Sequence, residues 1–210
     1  MSGSRSTLAP ANCKRRPPPV AWFRAMLFGW LSLLSRAAWA APLAIVQPAF
    51  YHQAGQTPVP GSTRTVVAYY DFDGQSLHPL SPDASRSADA TVLEPARQLL
   101  PTLQPESVRD GNGVVVALRF RSRNPALSSI LLLPETWNRF SQLLGPECLA
   151  VVPNREVVLL FPRLGVNLSR FSVEVIQLYR NHPYPGSTEL LEHRSNGLHA
   201  VRDLANEFVD

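Results

Sequence analysis

A short apolar hairpin constrains the fold of this chain more than any other stretch of the sequence. Residues 147–163 read ECLAVVPNREVVLLFPR, and the apolar runs 149–152 and 157–161 flank a Pro-Asn-Arg-Glu segment. Runs this short, rich in Val and Leu and bounded by turn formers, are typical of strands buried on both faces. Asn154 tolerates the left-handed backbone of a tight turn. The stretch therefore predicts a buried central hairpin with further layers packed on both sides.

Length and composition are sufficient for one sizeable hydrophobic core. The chain has 210 residues, 45% of them hydrophobic, and its 20 prolines predict many turns and short elements. Residues 1–40 contain six Lys and Arg and no acidic residue. Subtracting these six from the 20 Lys and Arg leaves 14 against 16 Asp and Glu, so residues 41–210 carry a formal charge of −2. The basic character of the chain therefore belongs to its N-terminal segment.

Residues 1–40 contain the three parts of a secretory signal peptide. The first residues of this segment form a basic extension that is predicted to be disordered. Basic residues precede the short apolar segment 25–34, and Ala-Trp-Ala at 38–40 places small residues at the first and third positions before the cut. We predict cleavage between Ala40 and Ala41, and a periplasmic or secreted protein with no membrane span after cleavage. Removal of the basic segment also predicts that the mature chain has no nucleic-acid partner.

Two alternatives follow from the same N-terminal segment. It could stay uncut and anchor the chain in a membrane, although Arg24 and Arg36 bracket fewer than the roughly 20 apolar residues that a span needs. The first 20 residues could also be an over-long start rather than part of the signal. Cleavage would remove Cys13 and leave Cys148 as the one cysteine, which predicts no internal disulfide and a small packed residue at position 148.

The rest of the chain divides into a loose, Pro-rich lead-in over residues 41–64 and a single domain over residues 65–210. Apolar periodicity predicts strands over 65–72, 114–121 and 128–133, and helices over 91–100, with Asp89 as its cap, and 135–144. Residues 74–90 read as a long loop. Two segments are ambiguous, namely 168–179 (helix or strand) and 189–202 (a hairpin or a helix–turn–helix). This order predicts an α+β fold with a mostly antiparallel sheet, the central hairpin and two or three helices.

The sharpest chemical motif is VVAYYDFDG at residues 66–74. It resembles the first motif of the haloacid-dehalogenase-like phosphatases. The resemblance implies that Asp71 is the nucleophile and Asp73 a general acid/base, both beside Mg²⁺. Period-two alternation does place both carboxylates on one strand face. Gln75 stands where that family has Thr, and Lys14 is the one lysine, so a polar turn at the end of a strand is the preferred interpretation.

Basic side chains alternate on a later strand and suggest a second candidate site. Arg119 and Arg121 share one face of the strand predicted over 114–121, with Arg123 nearby. Such a row could bind an anion. The alternative interpretation is a solvated sheet face, and it is the more common one for alternating charged residues.

Motifs for metal, nucleotide and serine-hydrolase chemistry are missing from the sequence. The five histidines show no metal-ligand spacing, although His193 and His199 flank a predicted turn and could meet across a hairpin. No Gly-x-Ser-x-Gly elbow and no phosphate-binding glycine loop occurs. We therefore predict no cofactor and no metal site.

Residues 128–163 resemble part of the uncharacterised bacterial YtpQ-like family. The shared features are an apolar strand, a short helix around Leu-Pro-Glu-Thr-Trp and a hairpin carrying Val-Pro-Asn-Arg-Glu-Val. The resemblance implies a bacterial α+β domain and no established chemistry. Our leading hypothesis is an exported, non-enzymatic domain that binds a protein or an envelope component. The alternative is a Mg²⁺-dependent phosphoesterase that uses Asp71 and Asp73.

Overall fold

A computed structural model of the chain describes residues 41–51, 55–81, 91–164 and 167–208. The strands, numbered in chain order, are β1 (Ala41–Pro48), β2 (Thr57–Pro58), β3 (Thr65–Phe72), β4 (Leu77–Pro79), β5 (Glu106–Arg109), β6 (Val115–Arg121), β7 (Cys148–Asn154), β8 (Val157–Pro162), β9 (Glu189–Arg194) and β10 (Gly197–Asp203). The α-helices are α1 (Glu94–Leu99), α2 (Pro134–Leu144) and α3 (Ser169–Arg180). Short 3₁₀ helices cover Ala49–Tyr51, Leu100–Thr102, Ser128–Leu132 and Leu204–Phe208. The predicted signal, with its cut after Ala40, lies outside the described residues.

The larger sheet has six strands in the order β10-β9-β7-β8-β6-β5, and every neighbouring pair is antiparallel. Strands β7 and β8 form its centre and are joined by a tight turn at Arg155 and Glu156, with Asn154 opposite Val157. The predicted α+β fold and its central hairpin are confirmed.

Both faces of this hairpin are buried, as its apolar runs predicted. One face contributes to the largest core cluster, together with α2, through Ala150, Val152, Val158 and Leu160. The opposite face packs with α3 through Leu149, Val151, Leu159 and Phe161. Because successive side chains point to opposite faces, a continuous Val/Leu run can be buried only between two layers. Each fully buried side chain of this kind contributes about 1.5–3 kcal/mol to the free energy of unfolding.

The smaller sheet is built around β3. Strand β1 pairs along its whole length with β3, whereas β2 and β4 share the other side of β3. Residues 41–64 therefore begin with an eight-residue strand, where we expected a loose lead-in. The strand forms because the apolar run at 43–46 is at most 2% exposed, and because Pro42 and Pro48 are tolerated at the edge of a sheet.

The prediction of a strand over residues 128–133 is wrong. Residues Ser128–Leu132 form a 3₁₀ helix, and the neighbours of β6 are β8 and β5, of which β5 had not been predicted. The local reason is a pair of serines. Ser128 Oγ accepts a hydrogen bond from the backbone N of Val46 (3.1 Å), and Ser129 Oγ donates one to the backbone O of Ala44. Their hydroxyls are the hydrogen-bond partners of two backbone groups on the outer edge of β1, and the helical turn places both serines within reach of that edge.

The other predicted elements are present with shifted bounds. Helix α2 matches the prediction, α1 is shorter than expected, residues 168–179 resolve as a helix, and residues 189–202 resolve as a hairpin. The alternation predicted for β6 breaks at Val116, because Val108 pairs with Ala117 and Arg109 with Val115, which leaves Val116 in a bulge. The loop expected over residues 74–90 contains β4, and residues 82–90, including Asp89, lie outside the described part.

Candidate functional site

An open cleft of about 610 Å³ lies beside the turn of the central hairpin. Its size is in the range of small-ligand pockets in proteins. The side chains described below, all of which line it, are those of Phe72, Arg123, Arg155, Glu156, His182 and Tyr184. We call it the Arg155 cleft, after the residue in the turn between β7 and β8.

Arg155 is held between two aromatic rings. Its guanidinium carbon lies 4.7 Å from the ring centroid of Tyr184 and 5.9 Å from that of Tyr51. Its backbone N donates to the backbone O of Tyr184 (3.3 Å), and the Tyr51 hydroxyl donates to the backbone O of Pro185 (3.1 Å). These bonds fix both rings relative to the turn. Cation–π contacts of this kind stabilise the charged side chain without using its N–H donors.

The Arg155 guanidinium has no carboxylate partner among the described residues, because none of the ion pairs found there involves it. Its Nε is buried without a hydrogen-bond partner, so a ligand in the cleft must bond to the terminal nitrogens. The adjacent carboxylate of Glu156 lies 4.0 Å from Nε2 of His182 instead. A planar guanidinium without an ion-pair partner matches the geometry of a carboxylate or phosphate.

The remaining side chains give the cleft a positive balance and an apolar wall. Arg123 lies exposed at its rim, so two arginines line the cleft against the single carboxylate of Glu156. The ring of His182 is oriented by the backbone of Tyr184, whose N and O both lie 3.1 Å from Nδ1. Phe72 adds apolar surface. The cleft can therefore hold an anionic group that is attached to a ring or another apolar unit.

Asp73 caps a turn, which agrees with the preferred interpretation of its motif. Its Oδ1 accepts bonds from the backbone N of Ser76 (2.7 Å) and Gln75 (2.8 Å), and its Oδ2 lies 3.0 Å from Nε2 of His78. The Ser76 bond first, and then the His78 and Gln75 bonds, lower the pKa of Asp73 to about 2. The Asp73 carboxylate therefore accepts hydrogen bonds within its own turn.

Asp71 is exposed on β3, opposite Pro42 of β1 and His78 of β4. Within the described ranges, no group of three or more His, Cys, Asp or Glu side chains is arranged to hold a metal ion. The loop that follows Asp73 nevertheless lines the Arg155 cleft through residues 74–76. The motif is thus next to the cleft, while its two carboxylates are not among the lining residues.

The predicted arginine row on β6 is divided between two environments. Arg119 is only 15% exposed and pairs with Glu106 (3.0 Å between Nη1 and Oε2) and with Glu174 of α3. Arg121 is exposed at the end of the strand. Because two carboxylates already occupy the Arg119 guanidinium, the row does not act as a unit toward an anion.

His193 and His199 do not meet across their hairpin. His193 is opposite Leu198 and His199 is opposite Glu192, so the two rings lie on opposite faces. The His193 ring packs 5.8 Å from the ring of Trp137, where burial lowers its pKa. The His199 ring contacts Asn196, with 2.7 Å between Nε2 and Oδ1.

Cys148 is a buried free cysteine at the start of β7. Burial raises the pKa of its thiol to about 11, and its Sγ lies 3.4 Å from the backbone O of Gly145. A thiol with so high a pKa stays protonated at neutral pH and is a poor nucleophile. This environment is that of a small packed residue.

A second cavity of about 310 Å³ is lined by Phe50, Arg64, Tyr179 and Thr188, among others. Two of these side chains bond to Asp203, which lies behind the lining: Nη1 of Arg64 is 3.2 Å from its Oδ2, and the Thr188 hydroxyl donates to its Oδ1 (2.6 Å). We call this the Phe50 cavity. Its polar groups form a connected set of donors and acceptors beside exposed aromatic surface.

Sequence reasoning did not single out Arg155, because its neighbours indicate only a turn. Its two ring partners, Tyr51 and Tyr184, lie in separate segments of the chain, and no local pattern connects them. The usable signal is the aromatic and Pro-rich segment at 182–185.

Comparisons with known proteins leave the geometry as the basis for a functional argument. No protein-family model, no curated protein and no solved structure matched this chain. The YtpQ-like and phosphatase resemblances therefore stay predictions. Among the residues that the structure describes, no helix has the length and apolar character needed to cross a membrane.

Proposed function

We propose that this chain is an exported, non-enzymatic binding domain whose Arg155 cleft holds an anionic group of a protein or envelope component. The observation that carries the proposal is the guanidinium of Arg155, fixed between Tyr51 and Tyr184 without a carboxylate partner among the described residues. A charge placed at a cleft and left unneutralised favours a negatively charged ligand.

The ligand surface next to the anion is apolar or ring-shaped. Tyr184 is 50% exposed, and Phe72 lines the same cleft, so both offer ring surface beside the guanidinium. Ring faces pack well against flat or apolar groups, and a tyrosine hydroxyl tolerates the solvent at the rim. An anion attached to such a group gains both an ion pair and apolar contact.

Export is proposed from the sequence of residues 1–40, in which basic residues, a short apolar segment and Ala-Trp-Ala follow one another. The proposed locations are the periplasm or the medium, and an uncut N-terminal anchor is the alternative. The intact mass of the chain recovered from fractionated cells separates these locations, because only cleavage gives the mass of residues 41–210.

Calorimetric titration with phenyl phosphate in metal-free buffer tests the cleft. We expect saturable binding that Arg155→Gln weakens at least about tenfold, since a charge-assisted hydrogen bond contributes about 1.5–3 kcal/mol. Arg170→Gln is the matched control, because Arg170 is exposed on α3 and lines neither cavity. Equal weakening in both variants would indicate a general charge effect and contradict the proposal.

The same probe separates binding from the phosphoesterase alternative, which is favoured by one observation: the loop after Asp73 lines the Arg155 cleft. We expect no phenol release when Mg²⁺ is added. Phenol release that depends on Mg²⁺ and disappears in Asp71→Asn, while phenyl phosphate binding persists, would replace the binding role with a catalytic one.

A further inference from the structure

A row of side chains in tilted ring and cation–π contact runs from the Phe50 cavity to the Arg155 cleft. The ring centroids of Phe50 and Tyr51 are 4.8 Å apart, the Arg155 guanidinium lies 5.9 Å from Tyr51 and 4.7 Å from Tyr184, and Tyr184 is 6.2 Å from His182. Phe50 and Tyr184, near its two ends, are 48% and 50% exposed. We call this the aromatic row. Its length exceeds what one small ring would cover.

The Phe50 cavity supplies hydrogen-bonding groups of both kinds at one end of the row. Arg64 is a donor with 58% of its side chain exposed, and the Thr188 hydroxyl, which donates to Asp203, keeps lone pairs that can accept. A guanidinium beside a hydroxyl oxygen presents donors next to an acceptor, which is the pattern that neighbouring hydroxyl groups can satisfy. The cavity is therefore suited to a neutral hydroxylated unit, whereas the Arg155 cleft is suited to an anion.

We propose that the two cavities and the aromatic row form one extended site for an acidic oligosaccharide, an inference that rests on the proposed anion binding at Arg155. A sugar carboxylate occupies the Arg155 fork, and the C–H faces of neighbouring sugar rings pack on the exposed rings of Tyr184 and Phe50. Hydroxyl groups of a further sugar reach Arg64 and Thr188. Each contact uses chemistry that one acidic sugar chain carries along its length.

Charge favours a saccharide over a single-stranded nucleic acid. Nucleic-acid grooves follow the phosphate backbone with several unpaired basic side chains. Along this site Arg64 is already paired with Asp203, and residues 41–210 as a whole carry a formal charge of −2, from 14 basic and 16 acidic side chains. A ligand with a charge at one unit and hydroxyl groups at the next fits this distribution better.

Calorimetric titration with oligogalacturonates of one to six units tests the extended site. We expect the affinity to rise at least about tenfold from the monomer to the hexamer, because the longer chain reaches the Phe50 cavity. Phe50→Ala should weaken hexamer binding by roughly three- to tenfold and leave monomer binding unchanged, as expected for the loss of one stacking ring. Val173→Ala is the matched control, since Val173 is 49% exposed and lies on α3 outside both cavities.

Three outcomes would overturn the saccharide site. These are an affinity that does not grow with length, equal binding of neutral maltohexaose, and tighter binding of an oligothymidylate with the same dependence on Phe50. Each is separate from the phenyl phosphate test, because Arg155-dependent binding of phenyl phosphate can persist in all three. Loss of that binding would instead remove the proposed function itself.

Discussion

Arg119 and Arg155 both lie in the six-stranded sheet or its central turn, and both have a buried Nε without a hydrogen-bond partner. Their surroundings differ. Arg119 is held by two carboxylates, from Glu106 and Glu174, whereas Arg155 is held by two tyrosine rings. Carboxylates neutralise a guanidinium and accept hydrogen bonds from its terminal nitrogens, whereas rings position it without neutralising its charge. The comparison distinguishes an arginine that serves the fold from one that is available to a ligand.

The largest expected difference between the two arginines is in ligand affinity. Arg155→Gln should weaken phenyl phosphate binding by roughly 10- to 100-fold, because a charge-assisted hydrogen bond contributes about 1.5–3 kcal/mol. Arg119→Gln should leave the dissociation constant within about twofold, because Arg119 does not line the cleft and its terminal nitrogens donate to Glu106 and Glu174. Arg155→Lys sharpens the test, since lysine keeps the charge but not the planar fork and should still lose about tenfold. An unchanged phenyl phosphate affinity in Arg155→Gln would contradict the proposed difference between the two arginines.

Thermodynamic stability should show the reverse order at a smaller scale. Arg119→Gln leaves the carboxylates of Glu106 and Glu174 without their partner and should lower the free energy of unfolding by about 1–2 kcal/mol. Arg155→Gln should cost about 0.5–1 kcal/mol, the range of an exposed cation–π contact. Urea denaturation of both variants gives the two values. A larger loss from Arg155→Gln would mean that the rings hold the fold rather than the site.

Removing one ring should lower the affinity of the cleft for phenyl phosphate by less than removing the Arg155 charge does. Tyr184→Leu keeps apolar volume but loses the cation–π contact at 4.7 Å, so phenyl phosphate affinity should fall by roughly two- to fivefold. Tyr69→Leu is the matched control, because Tyr69 is a partly exposed tyrosine that does not line the cleft. A loss as large as that of Arg155→Gln would assign Tyr184 a direct contact with the anion.

The smallest expected effect concerns Asp73, which resembles Arg119 in being used by its own fold. Folding lowers its pKa from 3.8 to about 2, with the Ser76 backbone bond as the first cause. Its contribution to stability is therefore complete above pH 3.8 and is lost as the pH falls through 2. A carboxyl ¹³C titration should give a midpoint near 2, and His78→Ala should raise it. A wild-type midpoint near 3.8 would contradict the turn-capping role.

The parts of the fold that the sequence predicted are those in which neighbouring residues decide the outcome. The hairpin of β7 and β8 was predictable because a Val/Leu run between turn formers has few alternatives to burial. The helix α2 was predictable because Trp137, Phe140 and Leu144 recur at helical spacing. In both elements, the local pattern and the tertiary environment agree.

The parts that could not be predicted depend on partners distant in the chain. Strand β1 looked like a lead-in because of its prolines, and only pairing with β3 makes it a strand. The serines of residues 128–129 looked like part of a strand, and only the edge of β1 explains their 3₁₀ turn. The role of Arg155 is of the same kind, since alternation placed a candidate at Arg119 but could not show which arginine meets carboxylates.

The serine contacts on β1 also bear on the order in which the chain can fold. They join residues that are 82 and 85 positions apart, so the outer edge of the first strand stays open until the chain has grown past residue 129. Contacts of such high sequence separation slow folding, because the loop must close before they form. The pairing of β1 with β3 needs only residues up to 72, so the smaller sheet is completed in two steps, with its outer edge closed only after residue 129 has been made.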